Sequence, residues 1–523
     1  VPEYAPNAMS PTDSDFSVDW LDYHAAYTGD YLAAVDLDTG RSFTYREFYN
    51  RICRLAGGLN RKFKIEKGDR VGILANNSTD FFELLFACWE IGAIFVPLNW
   101  RLAAPELEQI IEHCDPSLLI VDEEFAEKVA GSDRPRLMRS LDTSKSDYER
   151  LISNSAPDFD KARLSVEDVG MLLYTSGTTG RPKGVIYNFR MVRDAIIHAA
   201  LHGEVTIRTR SLSSAPLFHV AGLNGFAMPL FHYGATLFVM RSWDPAKALQ
   251  YLQDEEMGIT HVLGVPVQYQ QMAELPDFEK ATFPALRVAG VGAAPVPESL
   301  LKTWTAKGIG MSQSYGMTEA FSVAYLPSFM AADKIGSAGY RVMHTLVQIA
   351  DEEGRELPAN QVGEIQLRGP TVTPGYWNDE ASTEKAFVNQ WFRTGDAGRM
   401  DIDGAIYIVD RYKDMYISGG ENVYPAEVEN VLLGHPDIER AAVIGVDDPK
   451  WGQSGLAVLC LRADAGLDPE TLGQYCRERL AHYKVPAHYR MTSALPRSPQ
   501  GKILKQALKQ QFAPEGALLE EAS

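Results

Sequence analysis

Apolar and polar positions along the chain fall into two textures. Val71 to Leu74 is a short continuous apolar run that reads as a buried strand. Thr79 to Ile91 spaces its apolar residues as an amphipathic helix does, behind Ser78, a good N-cap residue. Ile94 to Val96 is a second apolar run, stopped by Pro97. Strand, helix and strand in that order make a βαβ unit and predict parallel sheet. The alternation recurs at Leu212–Ser214, Thr236–Val239, His261–Leu263 and Arg287–Val291, each beside a helical pattern. From about Val347 the texture changes to short strands and Gly- or Asp-rich turns. Asp351-Glu352-Glu353-Gly354, the run Val362 to Leu367, and Asp401 to Tyr407 each carry a hairpin signature. After Asp410-Arg411-Tyr412-Lys413 a mixed α+β pattern runs on, so the domain boundary is placed there, giving 1–412 and 413–523.

Composition narrows the class. The 523 residues exceed the ~100–200 of a single domain, and 45% hydrophobic with 23% charged residues is ordinary globular composition. Lys plus Arg is 50 against 69 Asp plus Glu, a formal charge of −19, which disfavours non-specific binding to nucleic acid or an anionic membrane. One stretch departs from this balance: Arg479 to Ala513 holds seven basic residues and no acidic one. Five cysteines without Cys-x-x-Cys spacing argue against a disulfide scaffold and fit a reducing compartment, so a cytoplasmic location is expected. Val1 to Ser10 lacks signal-peptide features, and Glu521-Ala522-Ser523 matches no common address signal. No residue between Arg210 and Arg241 is charged, but Pro216, Gly222, Asn224, Pro229 and Gly234 interrupt the run, so a buried, turn-rich region is expected rather than a membrane span.

The chemistry concentrates in Tyr174-Thr175-Ser176-Gly177-Thr178-Thr179-Gly180-Arg181-Pro182-Lys183-Gly184, directly after an apolar strand. Glycines let backbone N–H groups approach a ligand closely, Ser and Thr hydroxyls add donors, and Lys183 adds a point charge: together, a loop built to grip phosphate. It is not a Walker A loop, because no Gly-Lys-[Ser/Thr] closes it. His198 and His202 have the i,i+4 spacing of metal ligands, but no third ligand lies nearby, so they read as helix surface.

The loop resembles the phosphate loop of the adenylate-forming superfamily, which includes acyl- and aryl-CoA ligases, adenylation domains and beetle luciferases. Further motifs of that family follow in order. Ser314-Tyr315-Gly316-Met317-Thr318-Glu319 resembles its aromatic-Gly-x-Thr-Glu element; the resemblance implies that Tyr315 stacks on adenine, Thr318 bonds phosphate, and Glu319, with Thr175, holds Mg²⁺. Gly292-Ala293-Ala294-Pro295 resembles the wall between adenine and acyl group. Thr394-Gly395-Asp396 is similar to the ribose-binding element, with Arg411 implied as a second ribose contact and Lys413 as the interdomain hinge. Gly419-Gly420-Glu421 resembles the loop lining the pantetheine tunnel. Pro499-Gln500-Gly501-Lys502 carries the implied adenylation lysine inside the acid-free stretch, and His219 is implied to lie beside the substrate carboxylate.

The implied fold is α/β: a large N-terminal domain of α/β subdomains with a small β-barrel-like region, and a small mobile α+β C-terminal domain. The implied reaction is ATP-dependent joining of a carboxylic acid to CoA through an acyl adenylate, releasing pyrophosphate and AMP. ATP, CoA and Mg²⁺ are the expected ligands; a homo-oligomer is left open. Small residues at Ala221, Gly222, Gly290, Gly292 and Ala293 suggest an open acyl pocket, putting a medium- or long-chain fatty or other hydrophobic acid first. An aryl acid of benzoate or cinnamate type comes second. Loading of a carrier protein, a luciferase-like oxygenase and a non-catalytic nucleotide binder are the rival readings.

Overall fold

The structure, a computed structural model, describes residues 18–175, 182–225, 227–294, 296–411, 414–418, 421–448, 451–462, 465–497 and 503–512. It divides into two compact units, Val1–Leu346 with Leu367–Phe392, and Val347–Gln366 with Arg393–Ser523. The texture change near Val347 marks the first edge of the second unit, and the 412/413 position falls inside that unit.

The first unit holds two sheets. In one, strands Arg136–Arg139, Leu118–Asp122, Arg70–Leu74, Ile94–Pro97 and Val169–Thr175 lie side by side in parallel, and Lys183–Asn188 closes the edge antiparallel. In the other, Met311–Met317, Val288–Gly292, His261–Gly264, Arg210–Ser213, Thr236–Val239 and Leu32–Asp36 run parallel in that order. The recurring βα pattern in the sequence thus yields a parallel sheet.

The Asp80–Glu90 helix joins the two sheets into one core, packing with Val71 and Ile73 of the first sheet and Ala33 and Leu237 of the second. All eleven of its residues are buried, so it has no water-facing side, contrary to the amphipathic helix its pattern suggests. Burial is tolerable because each acid is paired: Asp80 with Arg41 at 2.5 Å and Arg139 at 2.6 Å, Glu83 with Arg51 at 2.5 Å, Glu90 with Lys161 at 3.1 Å. Ser78 does not cap the helix; its hydroxyl accepts from Arg139 at 2.7 Å instead. The uncharged run folds as short strands around the Val220–Asn224 and Met228–Tyr233 helices, and no helix among the described residues is long and apolar enough to cross a membrane.

In the second unit, Gly363–Arg368, Trp391–Met400 and Ala405–Arg411 are neighbouring strands of the region expected to be barrel-like. The Asp401–Tyr407 signature is a hairpin whose Asp401 carboxylate accepts from Asp403 N and Ala405 N, with Gly404 at φ 88° completing the turn. Farther along, the paired strands Ile438–Asp448 and Gly452–Leu461 alternate their side chains between two faces. Ala441, Val443, Ala457 and Leu459 pack with the helices Pro425–Leu433 and Pro469–Arg477 on one side, while Ala442, Ile444, Leu456 and Val458 pack with Leu508 of the Lys505–Phe512 helix on the other.

Candidate active site

The phosphate loop springs from a hairpin. Strands Val169–Thr175 and Lys183–Asn188 pair antiparallel up to Thr175 opposite Lys183, so the loop residues are the connection across that last pair. Tyr174, at its base, is hydrogen-bonded to His113 Nδ1 at 2.8 Å.

Thr318 and Glu319 occupy a second tight connection, the turn between strands Met311–Met317 and Phe321–Leu326, which closes with Met317 opposite Phe321. Gly316 is required there: a Cβ would sit 2.0 Å from the Phe321 carbonyl oxygen. Phe321 itself has φ 63°, a left-handed backbone that costs a non-glycine residue of order 1 kcal/mol.

A third segment, Thr371–Asp379, ties these two connections together. Ile186 N donates to Gly375 O at 3.1 Å and Trp377 N to Gly184 O at 2.7 Å, stitching the segment to the strand leaving the phosphate loop. Thr373 N donates to Glu319 O at 2.7 Å, and the Tyr187 hydroxyl donates to Thr318 O, anchoring the turn. The Tyr376 hydroxyl donates to Glu319 Oε1 at 3.0 Å, and Lys183 Nζ lies 4.8 Å from the centre of the Tyr376 ring. Burial, and then the Glu319 charge, push the Tyr376 hydroxyl pKa far up, so it stays a donor. One tyrosine thus holds the lysine and the carboxylate that the sequence assigns to phosphate and metal. The sequence reading missed Thr373 and Tyr376; an isolated Thr-Pro-Gly-Tyr reads only as a turn.

The segment expected to line the acyl pocket begins where Arg210–Ser213 ends. A small pocket there is lined by Ser211, Ser213, Ser214, Ala221, Gly222 and Leu263, among others. His219 is the N-cap residue of the Val220–Asn224 helix that forms one wall, its ring 4.6 Å from that of Phe218. Gly222 is glycine for a backbone reason rather than to widen the pocket, since a Cβ would lie 2.2 Å from Pro216 O. Gly292 likewise admits the Ser314 backbone, 2.6 Å from its would-be Cβ. Ala293 and Ala294 are exposed beyond the strand end, with Ala293 at φ 65°.

Three serines, Ser211, Ser213 and Ser214, face this pocket, and buried polar groups without partners lie in the same region of the chain. Asn224 is fully buried, and neither its Oδ1 nor its Nδ2 has a hydrogen-bond partner among the described residues; the same holds for Ser214 Oγ. His198, expected on the helix surface, is fully buried on the Phe189–His202 helix, edge-on to Phe321 at 5.9 Å. Burial, then the neighbouring His202 and His344, lower its pKa to about 3, so it is neutral at ordinary pH.

In the second unit, Asp396 is buried on the Trp391–Met400 strand in register with Arg411. Glu364 organises the turn before it, accepting from Gly395 N at 3.1 Å and from Arg393 Nε at 2.8 Å, while the Thr394 hydroxyl accepts from Asp396 N at 3.0 Å. Glu421 pairs with Ser418 in the strand register next to the Gly-Gly loop. Ser176, Gly177, Thr178, Thr179, Gly180, Pro295, Lys413, Gly419, Gly420 and Lys502 lie outside the described residues. Ser314, Tyr315 and Met317 are half-buried along the strand that leads to Thr318.

Mg²⁺ fits the donors present. Glu319 offers a carboxylate whose Oε1 accepts from the Tyr376 hydroxyl. A carboxylate is a hard oxygen donor of the kind Mg²⁺ takes alongside nucleotide phosphates and water.

The AMP-binding enzyme description matches residues 21–377, and the AMP-binding enzyme C-terminal domain matches 427–502. Feruloyl-CoA synthase of an Amycolatopsis species is 40% identical over 478 residues, 90% of this chain and 94% of that protein. The long-chain-fatty-acid–CoA ligase FadD13 of Mycobacterium tuberculosis is 36% identical over 486 residues, 92% and 95% of the two chains. Among solved structures, the o-succinylbenzoate CoA synthetase of Bacillus subtilis is similar at TM-score 0.84 and 31% identity. It is known in complex with its acyl-adenylate intermediate, where 94% of this chain and 98% of that one are covered, and with ATP and magnesium, where the shares are 94% and 99%.

Proposed function

Because the chain belongs to the AMP-binding enzyme family, as an AMP-forming acid–thiol ligase, we propose that it activates an aryl carboxylic acid with polar ring substituents, of the hydroxycinnamate class, and transfers it to CoA. The observation that carries the substrate class is the serine-lined pocket after the Arg210–Ser213 strand, where the buried Ser214 Oγ has no partner among the described residues. A methylene tail would leave those groups dry and unpaired, at about 1–3 kcal/mol for each polar group, whereas a ring hydroxyl or methoxy oxygen pairs with them. The similarity to a feruloyl-CoA synthase supports the same choice. A long-chain fatty acid, placed first from the small residues in the sequence, becomes the second reading, favoured by the likeness to a fatty-acid ligase.

A carboxylate is a poor acyl donor because its leaving group would be oxide. The acid's oxygen therefore attacks the α-phosphorus of ATP, the bond to the β-phosphate oxygen breaks, and pyrophosphate leaves. Bringing two anions together demands neutralisation and alignment. Lys183 and the 175–180 loop are assigned to the phosphates, Thr318 to the α-phosphate, and Lys502 to the contact between carboxylate and phosphate. Thr175 and Glu319 would hold Mg²⁺, which supplies further positive charge at the phosphates. Asp396 and Arg411 are assigned to ribose, Tyr315 to adenine, with Gly292–Pro295 flanking it. His219 would orient the acid's carboxylate at the cavity mouth.

In the second half-reaction the CoA thiolate attacks the acyl carbon, the carbon–oxygen bond to AMP breaks, and acyl-CoA forms. Lys413 is assigned the hinge role that exchanges Lys502 for the Gly419-Gly420-Glu421 loop between steps.

The test is ATP- and CoA-dependent AMP release over a panel containing ferulate, cinnamate, 4-hydroxybenzoate and dodecanoate. Ferulate or another hydroxylated aryl acid is expected to give the highest kcat/KM. A higher value for dodecanoate than for every aryl acid would overturn the substrate assignment.

A further inference from the structure

The segment bearing Lys502 has a defined base. Arg497 and Ile503 form an antiparallel bridge, and Leu504 N donates to Pro496 O at 2.9 Å, so the described residues on either side of 498–502 are paired with each other. Ile503 and Leu504 run directly into the helix Lys505–Phe512, in which Leu508 is the one fully buried residue. Leu508, helped by the partly buried Ile503 and Phe512, seats that helix on Ala442, Ile444 and Leu456. Apolar contacts of this kind are non-directional and leave an eight-residue helix free to rock or slide.

Lys505 supplies the missing direction. It is the first residue of the helix, its side chain is only 14% exposed, and its Nζ meets Glu429 Oε1 at 2.9 Å, with Glu429 16% exposed. Glu429 is itself a fixed post: it stands on the Pro425–Leu433 helix, whose Val428 and Leu432 are buried, and it also accepts from Val443 N at 2.7 Å. Helix stability does not account for a lysine here. A cation at a helix N-terminus opposes the helix dipole, and a buried ion pair is often no more stabilising than an apolar pair of the same size. What a buried pair provides instead is one permitted geometry. Burial by itself would lower the Lys505 pKa, but Glu429, Asp410 and Asp414 together raise it, so the ammonium form persists.

We propose that Lys505, through its buried ion pair with Glu429, is the positioning residue that fixes the base of the Lys502 segment and so serves the adenylation half-reaction. This inference rests on the adenylation role assigned to Lys502. It separates the two half-reactions by position along the chain: the Lys505–Phe512 helix directly follows the Lys502 segment, whereas the Gly419-Gly420-Glu421 loop comes before the Pro425–Leu433 helix.

The test compares acid-dependent pyrophosphate exchange with thioester formation from supplied acyl adenylate, using the fastest acid of the panel. Lys505→Met, similar in length but uncharged, should lower the exchange kcat by about 10- to 100-fold, the range expected when a catalytic group is misplaced by ångströms. The KM for ATP should stay within about threefold, thioester formation within about twofold, and Lys505→Arg should restore most of the exchange. If Lys505→Met does not fold, the double variant Lys505→Met/Glu429→Gln leaves no lone buried charge and keeps an acceptor for Val443 N; the same split is expected of it. Parallel loss of both half-reactions, or unchanged exchange, overturns the proposal. Lys502→Ala is run alongside. Intact exchange in that variant overturns the reading of Lys502 and this inference with it; exchange lost there but kept in Lys505→Met overturns this inference alone.

Discussion

Tyr376→Phe removes one oxygen atom and tests whether the brace on Glu319 matters to the chemistry. The hydroxyl donates to Glu319 Oε1 at 3.0 Å, and a hydrogen bond to a charged group is worth about 1.5–3 kcal/mol. The ring survives the substitution, so Lys183 keeps its position 4.8 Å from the ring centre and only the carboxylate is released. If the lower half of that range is expressed in the transition state, at about 1.4 kcal/mol per tenfold, adenylation slows by about twelve- to fortyfold. The hydroxyl is held protonated by burial and by Glu319, so the loss should be the same from pH 6 to pH 9. Acid-dependent pyrophosphate exchange measures adenylation, and conversion of supplied acyl adenylate with CoA measures the other half. The expected result is slower exchange, a higher Mg²⁺ requirement and an unchanged thioester step. Exchange within twofold of the parent, or equal loss in both assays, would refute the reasoning.

Three other outcomes are expected. Gly316→Ala forces a Cβ against the Phe321 carbonyl, so it should cost about 1–3 kcal/mol of stability and about a hundredfold in exchange; thermal melting and the exchange assay check both. Ser214→Ala should lower the kcat/KM ratio of ferulate to cinnamate by about tenfold, and an unchanged ratio removes Ser214 from substrate recognition. Burial raises the Asp80 pKa, but Arg41 and Arg139 outweigh it and hold the group at about 2, so its ionised form contributes stability above pH 4 that is lost as pH falls towards 2. Arg139→Met should cost about 3–5 kcal/mol at pH 7 and flatten that acid dependence; urea midpoints at pH 7, 4 and 3 for both proteins test it.

The sequence by itself determined the parallel strands and the order of the family's motifs, because these are local. Apolar runs of strand length, glycines beside hydroxyls and a lysine, and the Thr318-Glu319 and Thr394-Gly395-Asp396 elements all act over a few residues. It also located the change of texture near Val347, where the second compact unit begins.

What only the tertiary structure decided is how separate stretches meet. The Asp80–Glu90 helix looks amphipathic, yet two sheets enclose it, and its acids find Arg41, Arg51, Arg139 and Lys161 at sequence distances that no periodicity encodes. His198 looks like helix surface and is core, because Phe321 packs against that face. Gly222 and Gly292 look like pocket-wideners but exist to let backbones pass. Tyr376 sits 57 residues from the carboxylate it braces, and Lys505 pairs with a glutamate on a different helix. Propensity and spacing describe a chain's neighbours along the sequence. Hydrogen bonds and ion pairs that fix catalytic groups join neighbours in space, and these appear only once the sheets have closed.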